Sequence, residues 1–449
     1  MAERKIESLG PKSKEVIELL LNYEVFSEWA FLHYMRPVVY DSAEGCFVKD
    51  VDGKKYLDFT SAFATAIAGH TQLKVVQTLV DQAKKITHAP DSPTLPRALL
   101  AKRLSEVMPK GLRKSMFGLG GGDAVEIAIK LVRTHKKLSE IIGFIGGFHG
   151  RGTFGCLSAT SVKESKKGLH PIVPGFYHIP YAYCYRCAYG KSYPECDLWC
   201  AKYLEFLLDA DMTGISEPGA VIVEPVQGAG GYVVPPDGFL PELRKITKNH
   251  DLLLIVDEIQ TAFGRYGGAI TASEALNIIP DIITLGKGLT GGFPLSATVT
   301  TDEISSSWTA VHSATYTGNP LMCAVALTQL EVVQDLKLPE RVRKMEPVFR
   351  KTLVDNLSKL RSVGDFSAKG LFSGVEIVED RRTKKPARRE FVKRIADIAL
   401  EKGLIILPCD GIYGNRINLA PPLTIEQELI EEGVHILRES IAGAEKGFL

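Results

Sequence analysis

Residues 251–294 read DLLLIVDEIQTAFGRYGGAITASEALNIIPDIITLGKGLTGGFP. Two short apolar runs, Leu252–Val256 and Ile282–Leu285, each stop abruptly in polar residues or glycine. Runs of this length are strands buried on both faces of a largely parallel sheet. In such sheets the chemistry lies just past the carboxyl ends of the strands. There the sequence places Asp257, Glu258 and Gln260 after one run, and Lys287 between Gly286 and Gly288 after the other. A carboxylate and a flexible amine beside one sheet edge fit a cofactor held at both ends. The amine can form a Schiff base, and the carboxylate can keep a ring nitrogen protonated. A buried Asp–Lys ion pair is the plainer alternative, and the rest of the chain decides between them.

The full length of 449 residues exceeds one simple core and points to two joined domains. With 45% hydrophobic and 24% charged residues, the composition is that of an ordinary soluble globular protein. A formal net charge of +1 gives no electrostatic case for nucleic acid or an anionic membrane as partner. No apolar run approaches the ~20 residues of a membrane span, and the N-terminus lacks the apolar core of a signal peptide. A cytoplasmic location is therefore expected.

The pattern on either side of the opening stretch is that of alternating strands and helices. Strand-like Lys114–Leu119 runs into Gly120-Gly121-Gly122-Asp123 and then a helical periodicity, AVEIAIKLVRTH. Ile141–Ile145 ends in Gly146-Gly147-Phe148-His149-Gly150-Arg151, and Ala220–Val223 in Glu224-Pro225-Val226-Gln227-Gly228. With Ala297–Thr300 these indicate an α/β fold, a mainly parallel sheet covered by helices. Beyond Pro320 charged helical segments accompany Leu371–Glu376, Leu404–Leu407 and Arg416–Leu419, the texture of a smaller α+β domain. Near the N-terminus, Lys12–Leu32 reads as a helical arm, and Phe47-Val48 and Tyr56-Leu57 flank Asp52-Gly53 as a hairpin. The expected bounds are 1–65 for the arm and hairpin, counted with the small domain, 66–325 for the large domain and 326–449 for the rest.

The glycines at 120–122 would let a backbone approach a phosphate at a helix N-terminus, where N–H groups are free and the dipole favours an anion. They match neither nucleotide-binding glycine fingerprint. The same stretch also reads as a tight turn in which Asp123 and Glu126 form a capping box. Phe148 offers a flat face for a ring, or simply a core phenylalanine. Four cysteines, Cys184, Cys187, Cys196 and Cys200, are spaced so as to admit zinc or an iron–sulfur cluster. Their irregular last interval favours a reduced surface excursion, so no metal is expected.

Taken together, IVDEIQTAFGR, DIITLGKGLTGGFPLSA, TYTGNPL, FHGRGTFG, VIVEPVQGAGG and NLAPPL resemble the class III (omega) aminotransferases, pyridoxal-phosphate enzymes of the aspartate-aminotransferase fold. The resemblance implies Lys287 as the Schiff-base lysine and proton shuttle, and Asp257 as the partner of the pyridine nitrogen. It implies Gln260 on the ring's phenolic oxygen, Phe148 stacked on the ring, with His149 and Glu224 beside it, and Gly121, Gly122 and Asp123 on the phosphate. Thr315 would reach the phosphate of the neighbouring subunit, which makes a homodimer the smallest working unit. The implied reaction moves an amino group from an amino acid, omega-amino acid or amine to a 2-oxo acid such as pyruvate or 2-oxoglutarate. Departures from the family pattern fall on the substrate side. Glycines replace the usual Ser-Gly-Ser, and the carboxylate-pairing positions are Ala229 and Asn418. Arg416, two residues upstream on the same strand face, and Phe63 are the candidate substrate contacts. An amino-acid racemase on the same fold is the alternative, although Ala229 stands where racemases carry an acid. A non-catalytic metal-binding protein built on the cysteines is more remote.

Overall fold

The computed structural model describes residues 9–25, 37–90, 92–308 and 312–448. The chain forms two compact units, one from Leu73 to Arg343 and one that joins the chain up to Gln72 with Lys344 onward.

The Leu73–Arg343 unit is built on a seven-stranded sheet. Across the sheet the strands run Lys114–Gly118, Ser296–Thr300, Ile282–Leu285, Leu253–Asp257, Pro218–Val223, Glu140–Phe144 and Phe176–Ile179. Ser296–Thr300 is antiparallel to both neighbours, and the remaining pairs are parallel. The apolar runs have the two-faced burial their composition demands. Ile141, Ala220, Ile222, Leu253 and Ile255 pack against Val125, Ile129 and Val132 of the helix Gly121–Lys136. The alternate residues, Ile142, Phe144, Val221, Val223, Leu254 and Val256, face Leu204, Leu240, Leu243 and Ile246 of two helices on the other side. The period of two along each strand thus builds two separate cores. The Phe176–Ile179 edge strand has no counterpart in the sequence reading. Its FYHI is only partly buried and lacks a long apolar run.

In the other unit, Phe47–Asp50 pairs with Lys55–Asp58 across the Asp52-Gly53 turn, with Val48 opposite Tyr56. Asp52 also reaches the N-terminal helix, accepting from the N–H groups of Lys12 at 3.0 Å and Ser13 at 3.2 Å. That helix spans Pro11–Tyr23 and is shorter than the arm expected to Leu32. The later part of the expected arm lies outside the described residues. A second sheet orders Val363–Lys369, Phe372–Asp380, Arg416–Leu419 and Leu407–Asp410. Among the described residues, no helix is long and apolar enough to cross a membrane.

One turn in this unit is under backbone strain. Ser61, Ala62, Phe63 and Ala64 have φ of 39°, 51°, 60° and 64°, a full left-handed turn without a glycine. Left-handed geometry costs about 1–2 kcal/mol per ordinary residue. The turn is held by bonds from Ala64 N to Thr60 O and Thr65 N to Ser61 O, both 2.8 Å, and from Ser61 Oγ to Ala420 O at 2.6 Å. It leaves Phe63 at 61% exposure.

Candidate active site

Within the Leu73–Arg343 unit, the strand ends named by the sequence come together at one sheet edge. Asp257 closes its strand at 4% exposure. Its Oδ2 lies 2.7 Å from His149 Nδ1, and its Oδ1 accepts from Thr284 Oγ1 at 3.0 Å and Ile259 N at 3.1 Å. A carboxylate has about four acceptor positions, so these three partners orient Asp257 and leave it one more. Burial pulls the His149 imidazole down, but the hydrogen bond to Asp257 and the charges of Asp257 and Glu224 outweigh it and raise its pKa. The pair therefore holds the imidazole proton more tightly than a free histidine would.

Glu224 sits behind the site. Its Oε1 accepts from Phe148 N and its Oε2 from Gly228 N, each at 2.8 Å. It ties the Phe148 loop to its own strand end, while Tyr181 donates to its backbone carbonyl at 2.9 Å. Burial pushes its carboxyl from 4.5 up to about 7, with His149 pulling down and Asp257 pushing up. His149, through Nδ1, and Glu224, through both oxygens, are thus supporting groups for Asp257 and Phe148. A Cβ on Gly228 would collide with Gln260 Oε1, so glycine there is what lets the Gln260 amide lie against the Glu224 loop.

The triple glycine opens the helix Gly121–Lys136, with Gly120 as the N-cap. A Cβ on Gly121 would stand 3.0 Å from Ile259 Cδ1, and one on Gly122 3.1 Å from Cys156 Sγ. The loop is bare on one side because it is packed tightly on the other. Gly286 joins the same contact, since a Cβ there would lie 3.8 Å from Gly121 Cα and 3.5 Å from Ile259 Cγ2. Lys287, next in the chain, therefore emerges beside the glycine loop. It has φ of 43°, the kind of backbone strain that gathers at functional positions.

The expected capping box does not form. Asp123 Oδ2 reaches back to Leu119 N at 2.9 Å, and its own N–H donates to Gly120 O at 3.0 Å. The open donors of this helix start are thus expected from Gly121 and Gly122, and the Asp123 charge turns away from them. Glu126 serves a different helix, Phe154–Ala159, accepting from Cys156 N at 3.1 Å and Thr153 Oγ1 at 2.5 Å. Thr315 is exposed in the segment before the helix Pro320–Asp335.

Arg416 is not available to a substrate. It is 1% exposed inside the smaller sheet, with Nη1 3.1 Å from Glu376 Oε2 and Nη2 bonded to Gly374 O at 2.7 Å and Ser367 Oγ at 3.0 Å. A buried guanidinium must be paired where it sits, and Glu376 supplies that pairing. Asn418, two residues on, donates to Asp410 Oδ2 at 2.7 Å. All four cysteines of the excursion are free thiols, with Cys184 exposed and Cys200 buried. Among the described residues, no group of three or more His, Cys, Asp or Glu is arranged to hold a metal. The sequence reading missed Thr284 and Thr160, the hydroxyls behind Asp257 and the His149 loop. Thr284 had a readable signal as the one polar residue in the run Ile282–Leu285.

A helix-covered, mainly parallel sheet with a lysine, a carboxylate and a bare helix start at one edge defines a cofactor-dependent α/β enzyme. The chain matches the family Aminotransferase class-III over residues 32–441, and it belongs to that family. It is 35% identical to a leucine/methionine racemase of Thermococcus litoralis, covering 92% of each chain. It is 33% identical to an acetylornithine aminotransferase of Methanothermobacter thermautotrophicus, covering 96% of this chain and 99% of that one. Among solved structures it superposes on a thermostable (S)-enantioselective omega-transaminase from Thermomicrobium roseum with a TM-score of 0.86 and 31% identity, over 96% and 98% of the two chains.

Proposed function

We propose that the protein is a pyridoxal-phosphate-dependent aminotransferase in which Lys287 is the catalytic amine. The observation that carries this reading is the junction of Gly286 with Gly121 beside Asp257, which sets an amine, a carboxylate and a bare helix start around one space. The residues fit the cofactor. Gly121 and Gly122 would hold its phosphate through backbone N–H groups at the helix start. Asp257, with one acceptor position left, would hold the proton of the ring nitrogen. Phe148, fixed through its own N–H by Glu224, would cover one ring face, and Gln260 would reach the phenolic oxygen. Bound pyridoxal phosphate supplies an electron sink for the charge left when a substrate C–H proton departs.

The protein's own work is then proton handling. Lys287 Nζ takes the proton from the amino-bearing carbon as general base. His149, 2.7 Å from Asp257 Oδ2, holds that carboxylate in place against the ring nitrogen. Thr315 of a second copy would complete the phosphate site, which makes a homodimer the working unit. Phe63, displayed on its strained turn, would meet the substrate.

With Arg416 closed by Glu376 and Asn418 bonded to Asp410, an arginine clamp for a substrate carboxylate is missing at both positions. Of amino acids, omega-amino acids and amines, the amines need no such clamp and are the preferred donors, with pyruvate or 2-oxoglutarate as acceptor. A panel of donors against both acceptors tests this, and a strong preference for glutamate as donor would sink it. Racemisation is the second reading, favoured by the likeness to the Thermococcus litoralis enzyme. It would need, besides Lys287, an acid–base group that delivers the proton to the opposite face of the same carbon. Single enantiomers incubated without an oxo acid decide the matter, since loss of optical purity marks the racemase.

A further inference from the structure

His312 sits in a clamp that none of the roles above uses. Its Nε2 is 3.3 Å from Asp123 Oδ1, and its Nδ1 is 2.9 Å from Lys130 Nζ. Both partners lie on the helix Gly121–Lys136, about two turns apart and on one face. An ammonium can only donate, so Nδ1 accepts from Lys130 and Nε2 carries the N–H; its contact with Asp123 is one of charge at 3.3 Å, without a hydrogen bond. The other oxygen of Asp123 holds Leu119 N, at the entry to the glycine loop. One carboxylate thus joins the loop at 119–122 to His312. Three residues after His312 comes Thr315, exposed. The far end of the segment is fixed by Asn319, whose Oδ1 accepts from Met322 N and whose Nδ2 donates to Tyr316 O, both at 2.9 Å.

We infer that the Asp123–His312–Lys130 clamp couples each protomer's own phosphate loop to the segment it lends its partner, with His312 as the positioning residue for Thr315. The inference rests on the reading of Thr315 as a contact to the partner's cofactor phosphate. Loss of the clamp leaves Lys287 and Asp257 untouched and loosens cofactor in the opposite site.

Differently tagged chains, co-purified as mixed dimers, separate the two sites. Cofactor is trapped on Lys287 with borohydride at intervals after dilution, and intact mass shows which chain carries it. In one arm His312→Leu and Lys287→Ala share a chain, so the trapped site is served by the altered segment. Cofactor is expected to leave it about tenfold faster, the effect of losing a charge-assisted hydrogen bond. His312→Gln, whose amide both donates and accepts, is expected to restore the wild-type rate. In the other arm His312→Leu lies on the chain with intact Lys287, and wild-type release is expected. Equal loss in both arms, loss in the second arm alone, or no loss in either overturns the coupling. Thr315→Ala in the first arrangement checks the underlying reading. If it releases cofactor faster while His312→Leu does not, only the coupling fails; if it has no effect, both fail.

Discussion

Glu224 is the residue at which pH should act most visibly. Both its oxygens accept backbone N–H groups, yet burial lifts its carboxyl to about 7. Below pH 4.5 the group is protonated whether the chain is folded or not, and no penalty arises. Between pH 4.5 and about 7 the unfolded chain ionises while the folded one keeps its proton, so stability falls as pH rises. The full effect is about 3 kcal/mol. His149, with its pKa raised, adds a loss of the same sign at higher pH as its proton leaves the Asp257 pair. Urea midpoints measured across this range should decline, and Glu224→Gln should flatten the lower part. The variant should itself lose ~1 kcal/mol, because one backbone donor is left without an acceptor. A slope unchanged in Glu224→Gln would remove Glu224 from the account. At the same scale, Lys287→Ala should lower turnover by about 10³-fold or more through loss of the base. Retention of normal amino transfer in single-turnover kinetics would reject the lysine's role.

At the scale of elements, local signals were legible and distant pairings were not. The strands ending at Asp257, Val223 and Phe144 were readable because burial on both faces leaves a continuous apolar run that polar residues or glycines cut off. The hairpin was readable from Asp52-Gly53, a turn signal set between two short apolar pairs. The capping box at Asp123 and Glu126 failed for the opposite reason. Both side chains found partners far along the chain, Glu126 at Cys156 and Asp123 at His312. Arg416 lay correctly on its strand, but its face was filled by Glu376 from the neighbouring strand, which spacing alone does not show. The left-handed turn at Ser61–Ala64 was equally hidden, since SAFA contains no glycine to announce it. That turn carries its own prediction. Ala62→Gly removes a Cβ from a left-handed residue and should stabilise the fold by about 1 kcal/mol. Its effect on substrate should be opposite, because a relaxed turn presents Phe63 less rigidly. Calorimetry together with KM for the best donor tests the pair, and a lower melting temperature would show that the strain is not relieved at Ala62.

For the whole molecule, the proposed cofactor contacts are unevenly distributed. Lys287, Asp257, Gln260, Phe148, Gly121 and Gly122 all belong to the Leu73–Arg343 unit. A ligand that binds only the folded form stabilises it by about 2.7 kcal/mol when present at 100 times its dissociation constant. In a unit of this size each kcal/mol moves the melting point by roughly 2–4 °C, so removing cofactor should lower it by about 5–10 °C. The more telling measurement is where protection is lost. Ile259 packs on both Gly121 and Gly286, and Asp257 binds His149 and Thr284, so the glycine loop, the Asp257 strand end and the Lys287 turn are mechanically one piece. Cofactor should rigidify that piece as a block. Hydrogen exchange followed by mass spectrometry on the cofactor-free protein should therefore speed up together in peptides covering 118–123, 146–150, 257–261 and 285–290. Peptides covering the sheet of the other unit, Phe372–Asp380 and Arg416–Leu419, should change little, because the Arg416–Glu376 pair that closes it takes no part in cofactor binding. Uniform loosening of both units would contradict this, and so would loosening confined to the glycine loop, since either result would mean that Ile259 does not transmit the contact.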